Sequence, residues 1–310
     1  MAHFIVVDGN PVPDGASAHN LVAGDGAKLR IGAFPRDGAR GTFLVLTGWS
    51  EFMEKYFETV RDLHARGFAC MSMDWRGQGL SERFAKRGTT SHIEDFALFR
   101  ADIDLMLKRM ADDGMPRPFY ALTHSMGGAP MLQRLADGRD DIRAAVLCAP
   151  LTRLKAGAAQ TALARLGVGV ATALGAARSS IPGWPDELEP FGENSLTSDP
   201  ARHDLFVRLQ KAEPNAQVRR PTFGWLKAAI AASDDLHRPD RFKAMSARAL
   251  MISAGIDRLV DSDDHALLAA SSERIERRLV AEARHEILIE RDELRHEFWT
   301  HADAFIETVA

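Results

Sequence analysis

The stretch Phe119-Tyr120-Ala121-Leu122-Thr123-His124-Ser125-Met126-Gly127-Gly128 joins an apolar run to a helical pattern that continues to about residue 136. This order predicts a strand that turns sharply into a helix, with Ser125 at the apex. It is the arrangement of a nucleophile elbow, normally G-x-S-x-G, in which a strained turn lifts a serine hydroxyl clear of the backbone. Thr123 replaces the first glycine. Because short serine motifs also arise by chance, the interpretation depends on the rest of the chain.

Apolar, β-rich runs alternate with helical patterns along most of the chain, and several runs lack period-2 alternation, as strands covered on both faces do. This pattern predicts an α/β fold with a mostly parallel, doubly wound sheet. Runs at about 20–24 and 28–34 predict an antiparallel edge. The predicted strands are 42–47, 68–74, 119–123, 144–148, 249–253 and 278–281. The predicted helices are 53–66, 93–112, 126–137, 263–271 and 292–308.

The alternation stops between Leu151 and about Arg241, where helical, Ala-rich stretches surround Ile181-Pro182-Gly183-Trp184-Pro185 and no convincing strand occurs. This predicts a helical cap inserted after the sixth strand, over the carboxyl ends of the strands, where open α/β sheets bind ligands. The expected units are a core of residues 1–150 and 242–310 and a cap of residues 151–241.

The composition is that of an ordinary globular protein, with 310 residues, 45% of them hydrophobic, and a formal net charge of −4. It carries no basic footprint, so no nucleic-acid partner is expected. Cys70 and Cys148 end apolar runs, which favours reduced core thiols over a disulfide. The first residues lack a signal-peptide pattern, and the longest apolar run, about 166–177, is too short for a bilayer. We therefore expect a cytoplasmic protein. The sequence gives no indication of how many copies assemble.

Nucleophilic catalysis by serine needs a base that reaches the hydroxyl and an acid that orients the base. In folds of this kind the three groups follow the order Ser, Asp or Glu, His along the chain. Asp257 comes shortly after the predicted strand 249–253 and directly follows Gly255-Ile256, so it is the predicted acid. Asp261 and Asp263 are close alternatives.

His285 follows the last predicted strand and is the predicted base, because it lies downstream of the serine and the acid in the required order. The other histidines are less suitable. His124 neighbours the nucleophile and is expected to pack beneath the elbow, and His296 and His301 lie inside the C-terminal helical pattern.

Attack on an ester carbonyl also needs two backbone N–H groups aimed at the developing oxyanion. The N–H of Met126, the residue after the nucleophile, is one predicted donor. The second is expected from the loop Thr47-Gly48-Trp49-Ser50-Glu51, with the N–H of Trp49 as the candidate. The alternative is a plain glycine turn with a buried tryptophan.

A second glycine loop, residues 74–81, follows another predicted strand. Its two glycines, with Asp74 and Arg76, predict a tight loop braced by ion pairing beside the elbow. The spacing differs from G-x-G-x-x-G, and the chain has neither a Walker-type P-loop nor a metal-ligand motif. We therefore predict no cofactor and no metal.

At these residues the chain resembles the serine α/β-hydrolase superfamily, and within it the lysophospholipase and monoacylglycerol lipase group, most of all the bacterial lysophospholipase L2-like branch. The matching stretches in the core are Gly48-Trp49-Ser50-Glu51-Phe52-Met53-Glu54-Lys55-Tyr56, residues 74–81, residues 124–128, Asp257-Arg258-Leu259-Val260-Asp261 and His285-Glu286-Ile287-Leu288. Those in the cap are Asn194-Ser195-Leu196-Thr197-Ser198-Asp199 and Pro221-Thr222-Phe223-Gly224-Trp225-Leu226. Thr47 stands where many monoacylglycerol lipases have the histidine of an H-G-x-G loop, which favours the lysophospholipase branch.

The resemblance implies an α/β-hydrolase fold and a serine carboxylic-ester hydrolase, a lysophospholipase that cleaves a single-chain lipid through an acyl-serine intermediate. The expected partner is an acyl ester or lysolipid, and transient membrane-surface contact through the cap is left open. The main alternative is a monoacylglycerol lipase or general carboxylesterase, and the remote one is a non-catalytic binding protein. Five apolar cap residues either line a groove for an acyl chain or pack on the sheet: Leu163, Leu166, Val168, Val170 and Leu174.

Overall fold

The computed structural model describes residues 2–85, 88–184, 186–187 and 190–309. The strands are β1 (Ser17–Val22), β2 (Lys28–Phe34), β3 (Thr42–Leu46), β4 (Ala69–Met73), β5 (Thr90–Ser91), β6 (Phe119–His124), β7 (Ala144–Cys148), β8 (Arg220–Pro221), β9 (Arg248–Ala254) and β10 (Ile275–Val280). The helices are α1 (Phe57–Ala65), α2 (Ala97–Asp112), α3 (Gly128–Ala136), α4 (Ala158–Ala173), α5 (Pro200–Ala212), α6 (Phe223–Leu236), α7 (Ser262–Ala270) and α8 (Asp292–Val309). Short 3₁₀ turns occupy Met53–Tyr56, Ser125–Gly127, Pro214–Ala216 and Ile287–Ile289.

Eight of these strands form one twisted sheet in the order β1-β2-β4-β3-β6-β7-β9-β10. The strands from β4 to β10 in this order pair in parallel, whereas β2 is antiparallel to both β1 and β4. The predicted mostly parallel sheet with an antiparallel edge is therefore what the chain forms. Parallel pairing places the ends of β6, β9 and β10, each followed by a predicted site residue, at one edge of the sheet.

The central strands β3, β4, β6 and β7 are buried along their whole length. Successive side chains enter two different cores. Leu44 and Leu46 of β3 pack in a cluster that includes α2 and α3, and Phe43 and Val45 pack in a second cluster that includes α1 and α8. Because both faces are covered, either face needs apolar side chains, and this explains why the runs lack alternation.

Helices α4, α5 and α6 lie between β7 and β9, inside the predicted cap. Trp225 and Leu236 of α6 join the same hydrophobic cluster as α2 and α3, so this helix packs closely on the core. The boundaries of the cap at residues 151 and 241 stay a prediction. Of the stretch 181–185, Pro185 lies outside the described residues.

The expectation that residues 151–241 contain no strand is wrong for β8, which pairs in parallel with β5. A strand of two residues, one of them Pro221, is too short to leave a periodic pattern in the sequence. Across the described ranges, no helix combines the length and apolar character that crossing a bilayer requires.

Candidate active site

Ser125 occupies a strained turn between β6 and α3. Its φ is 47°, in the left-handed region that non-glycine residues rarely adopt. The following glycines allow this turn to form, because a Cβ on Gly127 would lie 2.7 Å from the carbonyl oxygen of Thr47 and one on Gly128 would overlap the Pro150 ring. Thr123, which replaces the usual first glycine, is fully buried. The chain therefore forms an elbow that presents a serine hydroxyl.

His285 lies between the side chains of Ser125 and Asp257. Its Nε2 is 2.8 Å from the Oγ of Ser125, and its Nδ1 is 2.7 Å from Oδ2 of Asp257. Since an ionised carboxylate only accepts hydrogen bonds, Nδ1 carries the proton and Nε2 is free to accept one from the serine. The structure thus brings together the three residues that the sequence selected.

The carboxylate of Asp257 is buried and fully hydrogen-bonded. Its Oδ1 accepts the backbone N–H groups of Leu259 at 2.8 Å and Val260 at 2.9 Å. Burial opposes ionisation, but the contact with His285 and these backbone donors hold the pKa of Asp257 below its usual value. Asp261, one of the alternatives, accepts the N–H of Asp263 at 3.2 Å and caps α7 instead.

The loops that carry the acid and the base are bonded to each other. The N–H of Gly255 donates to Val280 at 3.0 Å, and that of Ile256 donates to Ala283 at 2.9 Å. Gly255 has no room for a side chain, because a Cβ there would overlap the carbonyl oxygen of Ala281. The glycine two residues before Asp257 is therefore needed for the close approach of the two loops.

Segment 194–199 of the predicted cap holds the His285 loop from the other side. The N–H of Glu286 donates to Leu196 at 2.9 Å, and the hydroxyl of Thr197 donates to Ile289 at 2.7 Å. The guanidinium of Arg284 also donates to the carbonyl of Thr197 at 2.9 Å. In the sequence, this segment is indicated only by the resemblance to the lysophospholipase L2-like branch. The one signal for its role is the run Asn194-Ser195-Leu196-Thr197-Ser198-Asp199, rich in side chains that bond backbone groups in turns.

The loop that carries Trp49, one of the two candidate oxyanion donors, faces residues of the insertion. The ring of Trp49 is partly exposed and contacts those of Trp184 and Trp225, with centroids 6.1 Å and 5.4 Å away. The N–H of Ser50 donates to Oε1 of Gln78 at 2.6 Å, and Met126, beside the nucleophile, is fully buried. The loop thus lies between the elbow and the rings of Trp184 and Trp225.

Ion pairs brace the loop 74–81, as predicted, but the partners lie outside the loop. Asp74 pairs with Arg30 of β2 at 2.7 Å, and Arg76 pairs with Asp102 of α2 at 2.5 Å. The expectation of a pairing within the loop is therefore replaced by two buried pairs that tie the loop to its neighbours.

The apolar residues of α4, together with Leu174 directly after it, differ sharply in burial. Val168 is 4% exposed, whereas Leu163, Leu166, Val170 and Leu174 are 71%, 65%, 51% and 80% exposed. The four exposed residues pack neither on the sheet nor in a closed groove. They form one apolar stripe on the outside of the molecule, at the helical spacing of three or four residues.

A mostly parallel sheet with a serine elbow after β6, an aspartate after β9 and a histidine after β10 defines an α/β-hydrolase. Residues 37–292 match the protein family described as Serine aminopeptidase, S33, and the chain belongs to that family. The predicted fold class and the predicted hydrolase assignment are confirmed.

Two curated relatives carry the name lysophospholipase L2, one of them as probable. The chain is 23% identical over 273 residues to the probable lysophospholipase L2 of Haemophilus influenzae, covering 88% of this chain and 85% of that protein. It is 29% identical over 269 residues to lysophospholipase L2 of Escherichia coli, covering 81% and 76%. The resemblance to this branch is confirmed.

Solved structures share the fold at low sequence identity. A soluble variant of monoglyceride lipase from Saccharomyces cerevisiae has a TM-score of 0.76 at 18% identity and covers 100% of this chain and 99% of its own. A thermostable carboxyl esterase from Bacillus coagulans has a TM-score of 0.76 at 15% identity, with coverage of 95% and 98%.

Proposed function

We propose that this chain hydrolyses carboxylic esters with Ser125 as nucleophile, His285 as general base and acid, and Asp257 as the group that orients His285. Nε2 of His285 takes the hydroxyl proton while Oγ attacks the carbonyl carbon, and the same proton passes to the leaving alcohol as the ester bond breaks. Water then attacks the acyl-serine with His285 again as base, releasing the carboxylic acid and restoring Ser125.

The proposal also assigns the developing oxyanion to the backbone N–H groups of Met126 and Trp49. Backbone dipoles held in place before the reaction stabilise the developing charge without having to reorient. The observation that carries the proposed mechanism is the unbroken series of short hydrogen bonds from Asp257 through His285 to the strained Ser125.

The proposed substrate is a lysophospholipid or a similar single-chain lipid ester. Two things support it: the relatives named lysophospholipase L2, and the apolar surroundings of the site, with Trp184 and Trp225 beside the oxyanion loop. The exposed stripe of α4 would meet the acyl chains of a micelle or membrane surface. A cytoplasmic location stays a prediction.

The first experiment measures fatty-acid release from lysophosphatidylcholine and from a monoacylglycerol of the same chain length. An aminoacyl p-nitroanilide is included because the family description names an aminopeptidase. We expect the lysolipid to react fastest, and Ser125→Ala to lower its kcat by about three orders of magnitude or more.

Each outcome separates the alternatives. Equal or reversed rates for the two lipids would keep the serine mechanism and move the substrate to monoacylglycerols or general esters. Full activity of Ser125→Ala would refute the mechanism itself. Failure of a fluorophosphonate probe to label Ser125 in the folded wild type would instead favour the alternative of a non-catalytic binding protein.

A further inference from the structure

A buried cluster of charged side chains lies directly behind the candidate site. Glu51, Lys55, His124 and Glu286 are 3%, 7%, 2% and 5% exposed. Nζ of Lys55 lies 2.7 Å from Glu51 and 2.5 Å from Glu286, and Nδ1 of His124 lies 3.1 Å from Glu51. Burial of so many charges is costly unless each is paired, so the contacts must be kept as a set.

Glu51 connects this cluster to the oxyanion loop. Its Oε2 accepts the backbone N–H of Gly48 and the hydroxyl of Tyr56, the latter at 2.6 Å. A Cβ on Gly48 would lie 2.8 Å from Oε2 of Glu51 and 2.9 Å from Nδ1 of His124. The loop therefore rests directly on the Glu51–His124 contact, and the glycine beside Trp49 is required there.

His124 connects the same cluster to the histidine of the site. Its Nε2 lies 3.3 Å from the carbonyl oxygen of His285, and the two imidazole rings are 4.9 Å apart. Both partners of the His124 ring, a carboxylate and a carbonyl oxygen, only accept hydrogen bonds. Both ring nitrogens must therefore carry a proton, so the ring is an imidazolium.

The charges of the cluster balance in this state. Glu51 and Glu286 are negative, and Lys55 and His124 are positive. Although burial opposes the charge on His124, Glu51 raises its pKa above the usual value, and burial is likewise outweighed at Glu51, whose pKa is lowered by Lys55 and His124. Neutrality makes the buried set tolerable, and this state depends on the proton of His124.

We propose that Glu51 and the doubly protonated His124 form a positioning pair that fixes the oxyanion loop, through Gly48, relative to the backbone of His285. The inference rests on the proposed serine mechanism and deepens it: the donors for the oxyanion and the general base are set by one buried contact rather than by separate loops. Misplacing such groups by about 1 Å costs about 100-fold in rate.

The test compares Glu51→Gln with Glu54→Gln, using p-nitrophenyl butyrate as a soluble substrate at temperatures well below each unfolding midpoint. Glu54 is a matched control, since it is as deeply buried as Glu51, lies in the 3₁₀ turn Met53–Tyr56 that follows Glu51, and pairs with Arg30 at 2.6 Å. A glutamine at position 51 presents an amide donor to a site surrounded by donors. We expect kcat to fall by about 10- to 100-fold with KM within about twofold.

Glu54→Gln should lower the unfolding midpoint while kcat stays within about twofold of the wild type. Equal kcat in the two variants would overturn the positioning role while leaving the serine mechanism in place. Full activity of Ser125→Ala would instead refute the serine mechanism itself, so the two failures are distinguishable.

His124→Gln tests the pair without removing the buried carboxylate, and decides the matter if Glu51→Gln does not fold. In the wild type, kcat should decline as the pH rises through the raised pKa of His124, because the doubly protonated ring is lost. Glu51, Lys55 and Glu286 act on this ring, and the ring of His285 lies 4.9 Å away. Tyr56 bonds to Glu51, and Cys148 is the partner of His124 on the neighbouring strand. We expect a lower kcat and no alkaline decline in the variant, and an unchanged profile would overturn the proposal.

Discussion

Nδ1 of His285 lies 2.7 Å from Oδ2 of Asp257, while the other oxygen of that carboxylate is held by two backbone N–H groups. The aspartate therefore cannot turn away from the imidazole without breaking both backbone contacts. A fixed acceptor at Nδ1 keeps the proton there and leaves Nε2 facing Ser125. The acid is part of the loop structure after β9 as much as of the site.

The first prediction compares Asp257→Asn with Asp261→Asn. An asparagine at 257 removes the charge that stabilises the imidazolium and favours the wrong tautomer, so kcat should fall by about 10³- to 10⁴-fold. Asp261 only caps α7, and asparagine is an equally good cap, so that variant should keep wild-type kcat. Steady-state ester hydrolysis measures both. A large loss at 261 with none at 257 would reassign the acid.

The second prediction concerns Thr197→Val in segment 194–199. The hydroxyl of Thr197 is buried, donates to Ile289 at 2.7 Å and accepts the N–H of Asp199 at 3.0 Å. Its loss should cost about 1–3 kcal/mol of unfolding free energy and lower kcat more than it changes KM, because the loop bearing His285 loosens. Urea denaturation and ester kinetics measure the two effects.

Thr172→Val is the matched control. Within the described part of the chain, the hydroxyl of Thr172 bonds to Val168 at 2.8 Å and to Gly169 at 3.0 Å, both in α4, so kcat should not change. Equal kinetic effects of the two substitutions would show that segment 194–199 does not position His285.

The third prediction concerns pH and stability. His265 is buried, lies 2.9 Å from the hydroxyl of Ser253 and 2.8 Å from the carbonyl of Pro150, and burial lowers its pKa to about 4. In the unfolded chain this imidazole takes up a proton with a pKa of about 6.5, whereas in the folded chain it stays neutral down to about pH 4. The residue therefore destabilises the fold as the pH falls below about 6.5. The effect grows by roughly 1.4 kcal/mol per pH unit until about pH 4.

Urea midpoints at pH 7, 6 and 5 measure this slope. His265→Gln should lower the free energy of unfolding at pH 7. It should also reduce the change of that free energy with pH by up to the uptake of one proton, because glutamine does not titrate. Parallel pH curves for the wild type and the variant would contradict the assignment. The comparison cancels the contributions of other groups, which both proteins share.

The sequence pattern predicted those parts of the fold and of the site that are formed by consecutive residues. The strand, turn and helix around Ser125 occupy consecutive residues, and the aspartate and histidine follow strands whose apolar runs are plain. The edge strand β10 was predicted at 278–281 and is found at Ile275–Val280, because the polar run Glu276-Arg277-Arg278 interrupts the apolar signal near its start.

The sequence could not predict which residues pair with the buried charged side chains. The sequence predicts ion pairing of the loop with Asp74 and Arg76, but Asp74 pairs with Arg30 of β2. Likewise, Lys55 pairs with Glu286, which lies near the other end of the chain. Such pairs depend on which strands become neighbours, and residue spacing carries no record of that. The two-residue strand β8, too short to leave a periodic pattern, likewise pairs with a distant segment, β5, 130 residues earlier.

The fourth prediction tests the apolar stripe of α4. Leu163 and Leu174 are 71% and 80% exposed, so replacing both by serine should leave the fold intact. If the stripe contacts lipid, the double variant should lose about five- to tenfold in kcat/KM on micellar lysophosphatidylcholine, since each buried leucine contributes about 1.5–3 kcal/mol at full transfer and a surface contact realises only part of it. Its kcat/KM on soluble p-nitrophenyl butyrate should not change. Leu267→Ser, on α7 and 65% exposed, is the control and should affect neither substrate. Equal losses on both substrates would mean that the stripe acts on the site rather than on the lipid surface.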